Sequence, residues 1–258
     1  MTDISPKTLA TIEDTTKRAG LGISSLAYYD NNLDADENKR AFINRHLLRC
    51  IDYAALLGVP SVGTFVGRDY TKSVEKNFDL FEKVFVPIVE YAAERNVQVV
   101  IENCPMDSWQ ISGMPGTISF SPELWDEMFR RVPHANFGLN YDPSHMYLMK
   151  MDYLSPIRQF GDRIFHVHAK DGLIDDKKFA YYGVYNRQLG RELTNGFWTC
   201  KIPGHGGVDF VEFFEQLASV GYNGTVSIEL EDPQFEGSPE AAKKGLLFSK
   251  EYLQPFIR

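Results

Sequence analysis

Hydrophobic positions along the chain alternate between two patterns, one typical of helices and one typical of short buried strands. In residues 73–96 the apolar positions recur with the period of an amphipathic helix, and Pro87 predicts a kink within it. Residues 97–101 form a continuous apolar run, which predicts a buried strand. Helices are predicted over residues 8–20, 37–58, 73–96, 122–132, 152–160, 209–220 and 239–256. Strands are predicted over residues 21–28, 61–66, 97–101, 137–141, 164–168 and 225–229, with a weaker strand near 197–202.

Helices that alternate with short apolar strands are typical of βα units and a parallel sheet. No Ser-, Gly- or Pro-rich linker divides the sequence, so we interpret residues 1–258 as a single domain. A nucleotide-binding sheet carries a glycine-rich phosphate loop, but the sequence contains neither GxGxxG nor GxxxxGK[ST]. The pattern therefore predicts a TIM (β/α)8-type barrel, in which active sites lie at the carboxyl ends of the strands.

Composition narrows the partners that this barrel would bind. The 258 residues contain 27 Lys and Arg against 35 Asp and Glu, a net charge of −8, which argues against a nucleic-acid partner. No apolar run approaches the roughly 18 residues of a membrane span, and the first twenty residues lack the apolar core of a signal peptide. The three cysteines form no CxxC pair, so we expect a cytoplasmic protein without a membrane partner.

Four of the predicted strands end in a residue that can ligate a metal. These residues are Glu102, Asp142, His168 and Glu229. Three carboxylates and one imidazole favour a hard divalent ion, with Mn²⁺ first and Mg²⁺ or Co²⁺ as alternatives, over structural Zn²⁺. A single glutamate at a strand end is more often a solvated loop residue, so the residues alone leave both interpretations open. Cys104 follows Glu102 closely and is interpreted as a packing residue.

Further candidates lie around these strand ends. Strand alternation predicts that His166, His168 and Lys170 share an inward face, with His166 in the core or orienting a ligand. Lys170 is either a substrate contact or part of a salt bridge. His205 lies in the sequence PGHGG, either in a tight turn or where the backbone approaches a ligand closely. Trp109 lies in a long loop, as a wall for a sugar ring or as a lid.

An ordered set of motifs resembles the xylose isomerase-like sugar isomerase/epimerase superfamily. The motifs are IENCP, NYDPSHM, HVHAKD, PGHGGVDF and VSIELEDP. The resemblance implies a TIM barrel in which a divalent metal is held by Glu102, Asp142, His168 and Glu229. It further implies that Glu102 and Glu229 are the acid/base pair, and that His145 holds a substrate hydroxyl or carbonyl oxygen.

The resemblance does not determine the reaction, because one enediolate intermediate can lead to isomerisation, epimerisation or elimination. Ketose 3-epimerases of this superfamily usually carry an arginine shortly after the His-x-His strand, whereas this chain has Lys170 and no arginine before Arg187. The leading hypothesis is a metal-dependent sugar isomerase or epimerase acting on an unphosphorylated sugar or polyol. The alternative is a lyase of the same barrel, such as an inosose-dehydratase-like or keto-sugar β-eliminating enzyme. A DNA-repair endonuclease is disfavoured by the charge, and a non-catalytic barrel by the four ligand positions.

The strand count predicts an irregular barrel. With the weak strand near 197–202 the sequence provides seven strands, whereas a closed barrel has eight. Residues 1–7 are polar and contain a proline, so the first strand of the barrel is predicted to be missing. The gap would lie between the strands at 21–28 and 225–229. Unpaired strand edges there would favour a homo-oligomer or a partner subunit, unless the natural chain begins upstream.

Overall fold

A curled parallel sheet of six strands forms the centre of the protein, in the order β1-β2-β3-β4-β5-β8. The structure is a computed structural model and describes residues 4–106, 114–185 and 196–257. The strands of this sheet are β1 (Leu26–Ala27), β2 (Ser61–Thr64), β3 (Gln98–Glu102), β4 (Phe137–Tyr141), β5 (Ile164–Ala169) and β8 (Val226–Ile228). All five neighbouring pairs are parallel, so the carboxyl ends of the strands meet at one rim, as the barrel prediction requires.

Helices connect the strands and cover the outside of the sheet. They are α1 (Pro6–Ala19), α2 (Glu37–Leu57), α3 (Val74–Ala93), α4 (Pro122–Arg131), α5 (Pro143–Leu148), α6 (Ser155–Phe160), α7 (Asp176–Tyr182), α8 (Phe210–Ser219) and α9 (Pro239–Leu253). Short 3₁₀ helices follow α6 at Gly161–Arg163 and α9 at Gln254–Phe256. Sequence signals explain the helix ends: Asp36 accepts hydrogen bonds from the first turn of α2, and Gly58 ends that helix with a left-handed φ of 66°. Ser121 occupies the N-cap position of α4, as predicted, but its side chain makes no capping hydrogen bond.

The hydrophobic core lies between the sheet and its outer helices. Residues of β2, β3 and β4 are almost completely buried, because helices pack on their outer side and the barrel interior lies on the other. Phe81 and Phe85 of α3 pack against Phe137 of β4 with ring centroids 6.0 Å apart in both pairs. This packing joins α3 to the central strand β4.

The sheet does not close into a complete barrel within the described residues. Strands β1 and β8 are its two edges, and no described strand lies between them. The chain enters α1 at Pro6, so residues 4–5 supply no strand there. The predicted gap beside the strand that precedes Glu229 is therefore confirmed for the part of the chain that the structure describes, while the oligomer expected from it stays a prediction.

The segment after β5 differs from its prediction. The strand predicted near residues 197–202 is present, but its predicted place in the barrel is wrong. Strand β7 (Trp198–Lys201) pairs antiparallel with β6 (Asp171–Ile174) in a separate two-stranded sheet. Strand β6 begins two residues after β5 ends, and the chain reverses direction between β6 and β7, so that β7 joins β6 instead of the central sheet.

One helix boundary differs from the sequence pattern, and one short helix was not predicted. The helix predicted at residues 152–160 begins only at Ser155, and the short helix α5 before it was missed. Six residues are too few for the apolar periodicity of a helix to be visible. Among the described residues, none of the helices has the length and apolar character needed to cross a lipid bilayer.

Candidate functional site

A cavity of about 580 Å³ opens at the carboxyl ends of the strands. Its polar lining includes Glu102, His145, Lys170, Glu229 and Glu231. Apolar and sulfur-containing side chains form the remaining walls: Tyr29, Phe65, Tyr70, Cys104, Pro105, Met106, Leu148, Met149, Trp198 and Cys200. A cavity with apolar walls and a few convergent charged groups is the usual form of a small-molecule site.

The four residues at the predicted strand ends meet in this region. Glu102 is the last residue of β3, Asp142 follows β4, His168 lies in β5 and Glu229 follows β8. One potential ligand atom from each lies within 4.8 Å of the others. Register explains the convergence, because Glu102 pairs with Asn140 two residues before Asp142, and His168 pairs with Ser227 two residues before Glu229.

Local hydrogen bonds hold one oxygen of Asp142, and Lys170 approaches the other. Asp142 Oδ1 accepts hydrogen bonds from the backbone N and the Oγ of Ser144, at 2.8 and 2.6 Å. The Asn103 side chain joins the end of β3 to Asp142 through both backbone groups, at 2.8 and 2.9 Å. The second oxygen, Oδ2, is buried, makes no hydrogen bond of ordinary geometry with the described residues, and lies 3.3 Å from Lys170 Nζ. Glu229 Oε2 is also buried and lies 3.1 Å from the same ammonium group, so both oxygens face Lys170.

This donor set fits a divalent cation. Lys170 brings one positive charge to the carboxylates of Glu102, Asp142 and Glu229, so a net negative charge remains that is costly to bury and that a divalent cation would compensate. Three carboxylates and one imidazole supply the oxygen and nitrogen ligands that Mn²⁺, Mg²⁺, Co²⁺ and catalytic Zn²⁺ accept. Glu102, Asp142, His168 and Glu229 would hold such an ion.

His168 and Glu229 are directly paired, with Nδ1 and Oε2 2.9 Å apart. Burial alone would lower the pKa of His168, but Glu229, Glu102 and Asp142 raise it above its ordinary value. Burial alone would raise the pKa of Glu229, but His168 and Lys170 lower it well below its ordinary value. Each side chain therefore favours the charged form of the other. A bound metal would replace the proton on His168, since a ligating imidazole is neutral.

Lys170 is a buried cation among these carboxylates. Its side chain is 2 % exposed, and its Nζ lies 3.3 Å from Asp142 Oδ2, 3.1 Å from Glu229 Oε2 and 3.5 Å from Glu231 Oε2. Burial would lower the pKa of Lys170, but Asp142 and Glu229 raise it well above its ordinary value. The salt bridges that the sequence suggested are therefore present, and the ammonium group also lines the cavity.

His145 lies on the first turn of α5 and faces β3. Its Nε2 is 3.1 Å from Glu102 Oε1 and 3.2 Å from Lys170 Nζ. A ligand atom of Cys104 lies within 4.8 Å of one of His145. Burial would lower the pKa of His145, but Cys104 and Asp142 raise it well above its ordinary value in spite of Lys170. Cys104, which was interpreted as a packing residue close to the site, lines the cavity.

The predicted inward face of β5 is confirmed. His166 on this face contacts Asn140, a residue that the sequence analysis did not identify. His166 lies one layer below His168, with Nδ1 3.0 Å from Asn140 Oδ1 and Nε2 3.2 Å from Ser227 Oγ. Burial, and then the neighbouring His168, lower the pKa of His166 to about 4. Asn140 also donates to the Tyr29 hydroxyl at 3.0 Å. Strand alternation could have identified Asn140, since it precedes Asp142 by two residues on the same face.

One predicted substrate contact, His205, is not part of this cluster. His205 packs against the rings of Phe235 and Phe248, with centroids 5.6 and 4.5 Å away, and is outside the cavity lining. Its Nδ1 lies 3.9 Å from Asp232 Oδ2. The PGHGG segment is fixed from below by the Asp171 carboxylate, which accepts hydrogen bonds from the amides of Gly204 and Gly206 at 3.1 and 2.9 Å. Trp109 lies outside the described residues.

Two curated relatives illustrate the sequence similarity. The chain is 31% identical over 159 residues to the uncharacterized protein YfiH of Bacillus subtilis, covering 60% of this chain and 49% of YfiH. It is 32% identical over 103 residues to an inosose dehydratase of Bacillus velezensis, covering 39% of this chain and 33% of the relative. The chain thus spans about half or less of the length of these relatives.

Solved structures share the fold over nearly the whole chain. A xylose isomerase domain protein from Planctomyces limnophilus superposes with a TM-score of 0.75 at 19% identity, covering 98% of this chain and 83% of the other. A D-tagatose 3-epimerase-like protein gives 0.70 at 21%, covering 98% and 84%. The IOLI protein with a binding zinc atom gives 0.69 at 19%, covering 97% and 85%. At these identities the likeness concerns the fold.

A family model decides the family itself. The model described as xylose isomerase-like TIM barrel matches residues 1–252, which is almost the entire chain. The fold and the ordered motifs agree with that match. The chain belongs to the xylose isomerase-like TIM barrel family.

Proposed function

We propose that this protein is a metal-dependent sugar isomerase or epimerase, which moves a proton on a carbon next to a carbonyl group. One observation carries the proposal: four candidate metal ligands meet within 4.8 Å beside a cavity of about 580 Å³. The family contains structures described as epimerases, in agreement with this chemistry. The expected substrate is an unphosphorylated sugar or polyol, and the expected ion is Mn²⁺, with Mg²⁺ or Co²⁺ as alternatives.

Two carboxylates are available for proton transfer. A divalent ion, when bound, would polarise the substrate carbonyl and make the adjacent proton more acidic. Glu102 and Glu229 both reach His168 Nδ1, at 3.9 and 2.9 Å, from strands on different parts of the rim. One carboxylate would remove the proton and the other would return it. Return to the same carbon from the opposite face epimerises it, and return to the neighbouring carbon isomerises the sugar.

His145 and Lys170 would hold the substrate oxygens. The two nitrogens lie 3.2 Å apart and both face the cavity. Because the Lys170 ammonium is almost completely buried, its positive charge would stabilise negative charge that develops on an oxygen. The aromatic walls would pack on the apolar face of a sugar ring. His205 lies away from this position.

A lyase is the second candidate function. Its support is the sequence similarity to proteins named inosose dehydratase in several bacteria. The same proton removal would then be followed by loss of a β-hydroxyl group as water. Lys170, where ketose 3-epimerases usually have an arginine, is compatible with either outcome.

The test is proton–deuterium exchange in D₂O with a panel of ketoses, inososes and 3-keto sugars in the presence of Mn²⁺. We expect one class of substrate to incorporate deuterium at the carbon beside its carbonyl group, and NMR spectroscopy detects this incorporation. A product of unchanged composition indicates isomerisation or epimerisation, and a product that has lost water indicates the lyase. Chelator-treated protein is the control, and exchange that persists after complete metal removal would contradict the proposal.

A further inference from the structure

A second group of potential metal ligands lies beside the first and shares one residue with it. Glu102, Cys104 and His145 each offer a ligand atom, and these atoms lie within 4.8 Å of one another. His145 Nε2 and Glu102 Oε1 are 3.1 Å apart. Ligand atoms around a tetrahedral zinc ion are about 3.3–3.8 Å apart, as follows from bond lengths near 2.0–2.3 Å. Small side-chain rotations therefore suffice to close the group around an ion.

The backbone holds the Cys104 thiol in this position. The amide of Met106 donates a hydrogen bond to Cys104 Sγ at 3.4 Å. Met106 adopts a φ of 59°, a left-handed conformation that is uncommon for a residue other than glycine. This turn brings the Met106 amide back towards Cys104 at the end of β3. The sulfur thus accepts a backbone hydrogen bond, as ligating sulfurs do at other metal centres.

The negative charge around the cavity is larger than one divalent ion would neutralise. Glu102, Asp142, Glu229 and Glu231 are four carboxylates, and the Cys104 thiolate of a metal complex would add a fifth negative charge. Lys170 supplies one positive charge among them. One divalent ion leaves the group anionic, whereas two ions neutralise it. In a low-dielectric cavity such neutralisation is strongly favoured.

We propose that Glu102, Cys104 and His145 form a second divalent-cation site, which prefers a thiophilic metal such as Zn²⁺. Glu102 would belong to both sites. Thiolate and imidazole select Zn²⁺, whereas the carboxylate-rich first site selects harder ions. This site goes beyond the proposed function and shares Glu102 and His145 with it. An ion held there would occupy both side chains and so compete with proton transfer by Glu102 and with substrate binding by His145.

The experiment measures metal binding by the full chain without an activity assay. Protein freed of metal with a chelator is titrated with Co²⁺ while the near-ultraviolet absorption from thiolate-to-cobalt charge transfer is followed. Zinc stoichiometry is then measured by elemental analysis. The variants are Cys104→Ala and, as a matched control, Cys200→Ala. Cys200 is also a half-buried thiol that lines the cavity, but its Sγ contacts Glu231, at 3.4 Å.

We expect two zinc ions per chain and the charge-transfer band in the wild type and in Cys200→Ala. Cys104→Ala should bind one ion and lose the band. One ion per chain in the wild type, or a band that survives Cys104→Ala, overturns the second site alone. Binding of no ion overturns the proposed function as well. If Cys104→Ala fails to fold, X-ray absorption of the wild-type zinc protein decides, because a sulfur ligand lies about 2.3 Å from zinc.

Discussion

The central strands β2–β5 and the edge strands β1 and β8 build the same rim under different packing conditions. Residues of β3 and β4 are buried on both faces, and they carry Glu102 and Asp142, whose side chains are 4 % and 0 % exposed. Strand β8 is half-buried throughout, and Glu229 after it is 27 % exposed. Three candidate ligands thus stand on tightly packed strands, while the fourth stands at an open edge of the sheet.

This difference separates the two tasks that a metal-dependent proton transfer requires. A metal centre needs ligands that are held in fixed positions by the surrounding structure. A proton-transferring carboxylate must reach the substrate, which enters through the cavity. We therefore expect the central strands to determine metal affinity, and the edge residue Glu229 to matter more for turnover.

The largest effect is expected for the two carboxylates of the proposed acid/base pair. Glu102→Gln and Glu229→Gln should each lower the exchange rate by about 10²–10⁴-fold, because an amide cannot accept the proton. Glu102→Gln should also weaken metal binding more than Glu229→Gln, since Glu102 stands on a buried strand. Exchange kinetics and metal titration of each variant measure the two effects.

The matched control is Glu231→Gln. Glu231 carries the same charge two residues beyond Glu229 and also approaches Lys170, at 3.5 Å, but it is half-exposed at the rim. The Glu231→Gln variant should lose much less activity than the Glu229→Gln variant. Comparable losses in both variants would mean that Glu229 acts only through its charge, and near-wild-type turnover of Glu102→Gln or Glu229→Gln with metal bound would remove the paired-base mechanism.

The four strand-end residues could be recognised from the sequence because each follows an apolar run that alone predicts a strand. Parity along β5 likewise placed His166, His168 and Lys170 on one face. Tyr29 directly follows the strand predicted at residues 21–28 but was not recognised, because its side chain is neither an acid nor an imidazole, and its place at the site follows from its contact with Asn140. The proximity of Cys104 to His145 could not be recognised either, because His145 lies on α5 and approaches the end of β3 only in the folded protein.

The open sheet was predictable by counting strands, whereas the partner of β7 was not. An apolar run near residues 197–202 predicts a strand but contains no information about which strand it pairs with. The chain reverses between β6 and β7, so β7 pairs with β6, and Asp171 at the start of β6 binds the amides of the glycine turn that follows β7. Local periodicity does not encode such long-range pairing.

The next effect tests the packing difference itself. Leu139→Ala removes a fully buried side chain from β4, and Ile228→Ala removes a half-buried one from β8. Leu139→Ala should lower the free energy of unfolding by about 2–5 kcal/mol, as is usual for such core truncations. Ile228→Ala should cost about 1–2 kcal/mol, because less apolar surface is lost from the core. Urea unfolding of both variants measures the difference, and equal losses would mean that the edge is as tightly packed as the centre.

A smaller effect is expected for His145, which belongs to the central region. His145→Ala should lower kcat/KM by about 10–100-fold, the usual effect of losing a group that orients the reacting centre. The ion held by Glu102, Asp142, His168 and Glu229 should remain, so one metal ion per chain is expected. Steady-state kinetics with elemental analysis checks both statements. Loss of every bound ion would instead make His145 a ligand of the first site.

The smallest effect concerns the outer helices that cover the central strands. Glu127 of α4 accepts hydrogen bonds from Arg130 and Arg131, which lower the pKa of its carboxyl to about 2. Arg131 in turn reaches Asp79 of α3, at 3.1 Å, so this charge cluster joins two helices over β3 and β4. A carboxyl whose pKa is lower in the folded state stabilises that state above the unfolded pKa. Here the contribution is complete above about pH 4.5 and is lost as the pH falls towards 2.

Glu127→Gln should therefore lower the free energy of unfolding at pH 7 by about 0.5–1 kcal/mol, a value that allows for solvent screening of a partly exposed group. The difference from the wild type should shrink between pH 4.5 and pH 3, because in this range the unfolded wild-type chain takes up a proton on Glu127 whereas the folded protein keeps the carboxylate, which reduces the stabilisation. Urea unfolding at pH 7 and pH 3 measures it. Glu215→Gln, which removes an exposed glutamate from α8, is the control and should change stability little at either pH. A Glu127→Gln difference that is equal at both pH values would show that packing of the side chain, and not its charge, joins these helices.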